Sequence, residues 1–392
     1  MRKNQNPVTA GACSFTMSSL QKDIFKPKLP PLEALQEDPD ATSKEVNNKK
    51  SSQPVFAFPL TRRQQPNYSP LSWEQYFETM QDIAGKSKDG KVPPLFVLHH
   101  GAGHSALSYG LTAKRIQAIA NQECSILAFD CRGHGRFRFC KLNCLEHTIE
   151  YPFFFYQSPG YTQTPNDTDL SLSTLSNDMC EVIQALYGDT KPDVIVVGHS
   201  MGGSVVVDVA NRRIVPNLLG VVVLDVVEGS AMEALSTMTS FLNDRPKEFP
   251  SVEHAIRWAV SSGTVHNLES ARLSFPPLVR KKDEEDANSP YVWHTNLAAT
   301  QQFWQGWFQD LSDKFLKARA AKFLVLAGTD RLDKTLMIGS MQGKFQMEIF
   351  VESGHAIHED QPNRLAQCLV EFWKRNKRLI LPPKVPLKPY QH

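Results

Sequence analysis

Short, largely apolar runs recur along the chain at 94–100, 124–130, 193–197, 220–225, 321–327 and 345–351. Most stop at a glycine or a charged residue. Apolar runs of this length predict strands covered on both faces. Between them, apolar positions fall at helical spacing over 106–120, 170–186 and 365–374. Strand and helix patterns in alternation predict an α/β fold, a mostly parallel sheet with helices on both faces. The stretch 231–313 breaks the alternation. It is mostly helical in pattern, with a charged interruption at 280–286, and it gathers Trp293, Phe303, Trp304, Trp307 and Phe308. It reads as a helical cap insertion at about 231–313, its aromatics packing it onto the sheet.

The ends differ. Residues 1–66 are rich in Pro, Lys, Ser, Asn and Gln and lack a period, the pattern of a disordered tail. Ser72-Trp73-Glu74-Gln75-Tyr76-Phe77 reads as the start of order, so the domain is expected over 67–378, with a Pro-rich tail at 379–392. Within it, 136–165 is a long aperiodic stretch holding Tyr151-Pro152-Phe153-Phe154-Phe155-Tyr156, an irregular insertion.

Composition narrows the function classes. Of 392 residues, 41% are hydrophobic, and 43 basic against 41 acidic side chains leave a net charge of +2. No basic excess points to nucleic acid or a membrane surface. No run approaches the roughly 20 apolar residues of a membrane span, and the N-terminal residues lack an apolar signal core. The seven cysteines are odd in number and irregularly spaced, which argues against a disulfide framework. A reducing compartment, cytoplasmic and/or nuclear rather than secreted, is expected. Cys140, Cys144 and His147 have metal-ligand character, but no second pair matches them, so no metal is expected.

The sharpest chemical signal is Gly198-His199-Ser200-Met201-Gly202-Gly203, between the apolar run 193–197 and a helical pattern. Gly-x-Ser-x-Gly in that setting is a nucleophile elbow, which makes the expected fold that of an α/β-hydrolase. Ser200 is then the nucleophile. The base follows the last strand, and His355 in Ser353-Gly354-His355 fits better than His358. The acid is open on spacing among Asp225, Asp330 and Asp333, and the position after the run 321–327 favours the last two. The oxyanion donors should be the backbone N–H of Met201 and one from the loop after the first strand, at Ala102 or Gly103. A serine site of this kind needs no metal and no organic cofactor.

Further motifs carry a resemblance. They are His100-Gly101-Ala102-Gly103-His104-Ser105, Leu224-Asp225-Val226-Val227-Glu228-Gly229, Leu332-Asp333-Lys334, Met341-Gln342-Gly343-Lys344-Phe345-Gln346 and Gly354-His355-Ala356-Ile357-His358-Glu359-Asp360. Together with the elbow they resemble the protein phosphatase methylesterase family over roughly 68–375. The resemblance implies a serine carboxylesterase that removes the methyl ester from the C-terminal leucine of the type 2A protein phosphatase catalytic subunit. It also implies that the acid is Asp225, against the spacing, and that 341–346 faces the phosphatase or supports that face. Two departures stand out: a shortened segment at 81–92, where the family carries edge strands, and the insertion at 136–165. Two other functions fit the same residues: a general small-ester carboxylesterase, and a non-catalytic phosphatase-binding inhibitor. If exposed, Trp304 and Trp307 would belong to a remote recognition surface for the protein substrate.

Overall fold

The structure, a computed structural model, describes residues 66–72, 92–134 and 168–377. The expected N-terminal tail, nearly all of the helix start at 72–77, most of the shortened segment, the insertion at 136–165, the Cys140–Cys144–His147 group and the C-terminal tail lie outside them.

The apolar runs become strands. β1 (Leu95–His99), β2 (Ser125–Phe129), β3 (Val194–His199) and β4 (Leu218–Leu224) come first. The short strands β5 (Glu248–Phe249), β6 (Val279–Lys281) and β7 (Tyr291–Trp293) follow, then β8 (Ala321–Leu326) and β9 (Gln346–Ile349). The main sheet has the order β2-β1-β3-β4-β8-β9, with every neighbouring pair parallel. Successive strand residues point to opposite faces, and both faces are apolar. Leu95, Val97, Leu127, Phe129, Val194 and Val196 join one core; Phe96, Leu98, Ile126, Ala128, Ile195 and Val197 join the other. This is why the runs do not alternate with polar residues.

The helices Leu172–Tyr187 and Met201–Arg212 cover the first face, and Gly110–Ile119 and Pro362–Asn376 the second. Their ends carry readable signals. Ser171 accepts the Thr174 N–H at the first, and the last begins at Pro362 and ends with Lys374 and Arg375. The order of strands reverses between β1 and β3. A crevice for ligand is expected at the carboxyl ends of strands beside such a reversal.

The segment between β4 and β8 departs from the helical reading. It opens with the helix Glu228–Asp244, then folds β5, β7 and β6 into an antiparallel sheet. The charged interruption at 280–286 spans the end of β6 and the first part of its connection to β7. Strands of two or three residues are too short to show a period, so the sequence pattern misses them. This sheet and the helices Val252–Ser261 and Leu268–Ser274 enclose a third apolar cluster around Phe249, Ile256, Val265, Phe275 and Val279.

Trp304 and Trp307 sit in the helix Gln301–Phe308 and are buried, at 3% and 1% exposure. Trp307 donates its indole N–H to the Leu170 carbonyl at 2.7 Å, and Trp304 donates to Thr300 Oγ1 at 2.7 Å. Both join the sheet's first core. They are packing residues, which corrects the expectation that they could form a recognition surface.

Candidate functional site

Strand order places the chemistry. β1, β3 and β4 are neighbours, and at their carboxyl ends lie the loop from His100, Ser200 and Asp225. The register is direct: His99 pairs with Gly198, and His199 with Leu224. Ser200 has φ +51° and ψ −120°, a conformation that costs a non-glycine residue free energy and lifts its side chain clear of the turn. The turn closes only because its flanks lack side chains. A Cβ on Gly198 would lie 2.0 Å from the Gly202 carbonyl oxygen, and one on Gly202 would lie 2.4 Å from the His99 carbonyl oxygen. Met201 is buried and opens the helix behind Ser200, so its N–H belongs to the unbonded first turn.

The loop 100–104 lies against the elbow. A Cβ on Gly101 would stand 3.2 Å from Ser200 Cβ, so Ala102 follows directly beside the nucleophile position. The buried His100 ring fixes this loop. Its Nε2 accepts the Cys131 N–H at 3.0 Å, which leaves the proton on Nδ1 to donate to the Gly101 carbonyl at 2.8 Å. Burial holds its pKa well below that of a free imidazole, so the ring stays neutral.

Asp225 and His355 meet. Nδ1 of His355 is 2.7 Å from Asp225 Oδ2. The Asp225 carboxylate is fully buried, whereas the His355 ring is half-exposed. Asp225 Oδ1 accepts the Ala327 N–H at 2.8 Å, and Arg331 adds a hydrogen bond to Oδ2. The carboxylate is thus held at both oxygens, with the imidazole on one edge. His355 sits on a loop pinned by Asp360, which accepts the Gly354 N–H at 2.7 Å and the His266 N–H at 2.7 Å.

Of the two other candidate acids, Asp333 is engaged elsewhere. Asp333 caps the helix Lys334–Met341, accepting the Leu336 N–H at 2.8 Å, and it accepts a hydrogen bond from Ser312. Asp330 lies in the turn Thr329–Arg331. His358, the competing base, is fully buried against the Tyr109 ring, with centroids 4.3 Å apart. Its ring nitrogens have no hydrogen-bond partner among the described residues, and burial pushes its pKa far down.

Two neighbours carry no sequence signal. Arg331 gives no hint in a Gly-Thr-Asp-Arg turn that it will reach Asp225. His199, beside Ser200, is fully buried and donates from Nε2 to the His355 carbonyl at 2.9 Å, so it holds the backbone of that residue. Burial, followed by the His358, His355 and His104 rings, keeps its pKa low.

Known proteins resemble this chain in sequence and in fold. The family model described as "Alpha/beta hydrolase family" matches residues 96–367. Among solved structures, an esterase of Mycobacterium tuberculosis superposes with a TM-score of 0.50 at 19% identity, covering 73% of this chain and 87% of that one. E-2-(acetamidomethylene)succinate hydrolase superposes at 0.52 and 15% identity, covering 72% and 92%. At these identities they speak for the fold alone. Protein phosphatase methylesterase 1 of Emericella nidulans is 49% identical over 300 residues, 74% of this chain and 70% of its own. The protein of that name from Aspergillus oryzae is 42% identical over 349 residues, 83% and 77%. The one from Bos taurus is 38% identical over 359 residues, 79% and 87%. Such identity over most of both chains reaches well past the elbow that all these hydrolases share, and the chain belongs to the protein phosphatase methylesterase family of α/β-hydrolases.

Proposed function

We propose that this chain is a serine carboxylesterase that removes the methyl ester from the C-terminal leucine of the type 2A protein phosphatase catalytic subunit. The observation that carries the reading is the 2.7 Å contact between His355 Nδ1 and the buried Asp225 carboxylate. With the proton of Nδ1 held there, the neutral imidazole keeps its lone pair on Nε2, the nitrogen that serves as base.

The steps then follow. Ser200 Oγ attacks the ester carbonyl while His355 Nε2 takes its proton. The carbonyl electron pair moves onto oxygen, where the N–H groups of Met201 and Ala102 receive the negative charge. Collapse of the tetrahedral intermediate breaks the bond to methoxide, which leaves as methanol with the proton from His355. Water, activated by the same imidazole, releases the leucine carboxylate from Ser200. Asp225 orients the imidazole and stabilises its charged form throughout.

A methylated tail alone offers little area to orient the ester, and binding energy from remote surface makes up the difference. The helix Lys334–Met341 supports this part of the reading. Met337, Ile338 and Met341 are exposed on it at 50%, 45% and 84%, and it leads into the segment 341–346. Among the described residues no helix is long and apolar enough to cross a membrane.

The test compares methyl-ester release from the intact methylated phosphatase and from a free methylated C-terminal peptide. A large excess of kcat/KM on the whole phosphatase is expected. Equal efficiency on both would favour a general small-ester carboxylesterase, and binding of the phosphatase with no release would favour a non-catalytic inhibitor.

A further inference from the structure

At the end of the loop 100–104 the fold gathers three donors that ester cleavage does not use. His104, His358 and Glu359 each offer one ligand atom, and these atoms lie within 4.8 Å of one another. His104 Nδ1 and Glu359 Oε1 are 3.3 Å apart without the alignment of a hydrogen bond. That separation matches the edge of a tetrahedron drawn around a zinc ion with ligands at about 2.0–2.1 Å.

The surroundings are built for donors. Glu359 is fully buried; its Oε2 accepts the Ser274 hydroxyl at 2.5 Å, and Oε1 has no hydrogen-bond partner among the described residues. His358 is fully buried, and neither ring nitrogen is hydrogen-bonded. A buried imidazole ordinarily makes at least one such bond, so a ring with none is an exception that calls for a cause. The main chain at both positions is held rigidly: Thr112 Oγ1 donates to the His358 carbonyl at 2.7 Å, and Ser270 Oγ to the Glu359 carbonyl at 2.7 Å. The Ser274 hydroxyl fixes one carboxylate oxygen and leaves the other to point at the histidines, the support that metal-binding carboxylates receive.

We propose that His104, His358 and Glu359 bind a divalent transition-metal ion of the zinc class. Two imidazoles and a carboxylate are a donor set of that class. Water can enter beside His104, whose side chain is 16% exposed. The bound ion would tie residue 104, just past the oxyanion loop, to residues 358 and 359, just past His355. It would take no part in the ester chemistry, and the inference is independent of the esterase reading. Sequence reading missed it because the donors are brought together only by the fold.

The test uses the full chain, stripped of metal by chelation. Calorimetric titration with zinc is expected to give one ion per chain. Cobalt(II) in its place should show the intense visible bands of a tetrahedral site, without the near-ultraviolet absorption of cobalt–thiolate bonds that a cysteine site would add. Glu359→Gln, which retains the shape and a partner for Ser274, and His104→Ala should each weaken zinc binding about tenfold or more. Circular dichroism of the metal-free variants checks that they fold. Absence of stoichiometric zinc binding, a thiolate signature, or affinity unchanged in a folded Glu359→Gln variant would overturn the proposal and leave His104 and Glu359 as a plain ion pair. The stoichiometry and cobalt spectrum of the unsubstituted chain decide the matter even if both variants fail to fold.

Discussion

Every residue of β1 and β3 is buried, whereas not one residue of the helix Glu228–Asp244 is. The sheet and the segment inserted after β4 thus place similar residue types under different rules. In the sheet a side chain's position along its strand decides its job: interior positions pack, and carboxyl ends react. In the insert the same inference fails. Trp304 and Trp307 are interior and Trp258 and Trp293 half-buried, while methionines on the helix Lys334–Met341, outside the insert, face water. Apolar character reports the core reliably only where a strict period ties it to a buried face.

The largest effect should separate chemistry from packing at the sheet. Ser200→Ala is expected to lower turnover roughly a million-fold while leaving the melting temperature near that of the unsubstituted chain, since a small residue remains at the elbow. Turnover close to normal would remove Ser200 from the mechanism. Asp225→Asn should cost on the order of ten-thousand-fold, because the imidazole loses the carboxylate that sets its tautomer. Asp333→Asn should leave turnover nearly intact; if it proves the crippling change of the two, the acid has been misassigned.

The insert should respond in stability instead. Trp307→Ala is expected to cost about 3–5 kcal/mol in urea unfolding, the range for emptying a large aromatic site. A loss confined to protein-substrate turnover, with stability unchanged, would make Trp307 a recognition residue after all. The reverse outcome is expected for Met337→Ala with Met341→Ala. That pair should lower kcat/KM on the intact phosphatase roughly tenfold and leave a small chromogenic ester unaffected. Equal losses on both substrates would mean that the helix supports the site rather than the partner.

A pH series sharpens the sheet's side of the comparison. Burial lowers the pKa of His99 and His134 to about 4 and that of His100 well below the free value of 6.5. In the unfolded chain these rings take up protons below about pH 6.5, while the folded chain refuses them. Their stabilising effect is therefore complete above pH 6.5 and is lost as pH falls from there toward 4. Asp130 works the other way. Burial raises its pKa from 3.8 to about 7, so its contribution falls as pH rises through that window. These rings, with His199 and His358 lowered by burial in the same way, outweigh the raised carboxyls of Asp130 and Glu359, and urea midpoints should rise from pH 4.5 to 6.5, each tenfold difference in proton affinity being worth about 1.4 kcal/mol. A flat profile would show that these rings are hydrated in the native state.

What was legible follows the same division. The strands of the main sheet fall within or beside the apolar runs, and Ser200 and His355 stand at strand ends where the motifs put them. The acid was not legible from spacing. Asp333 looked suitable because it follows β8, yet an aspartate before a helix serves equally as its cap, and only the path of the chain distinguishes the two. Asp225 is what the family resemblance implies, and the structure sets its carboxylate 2.7 Å from His355 Nδ1. Arg331 and His199 were silent because their roles depend on partners more than a hundred residues away: Arg331 and Asp225 are 106 apart, and His199 and His355 are 156 apart.

The glutamate of Asp-Val-Val-Glu-Gly has its own consequence. Glu228 opens the insert, and its carboxylate accepts the N–H of Asp310 at 3.0 Å and that of Ser312 at 3.1 Å, near the insert's far end. One side chain therefore works as a clasp across 84 residues. Loop closure becomes only slowly more costly as a loop lengthens. Held at its neck, the insert can gain or lose residues far from the clasp while the strands on either side keep their register. A lineage could thus reshape the insert without disturbing the strand ends that carry Ser200 and Asp225.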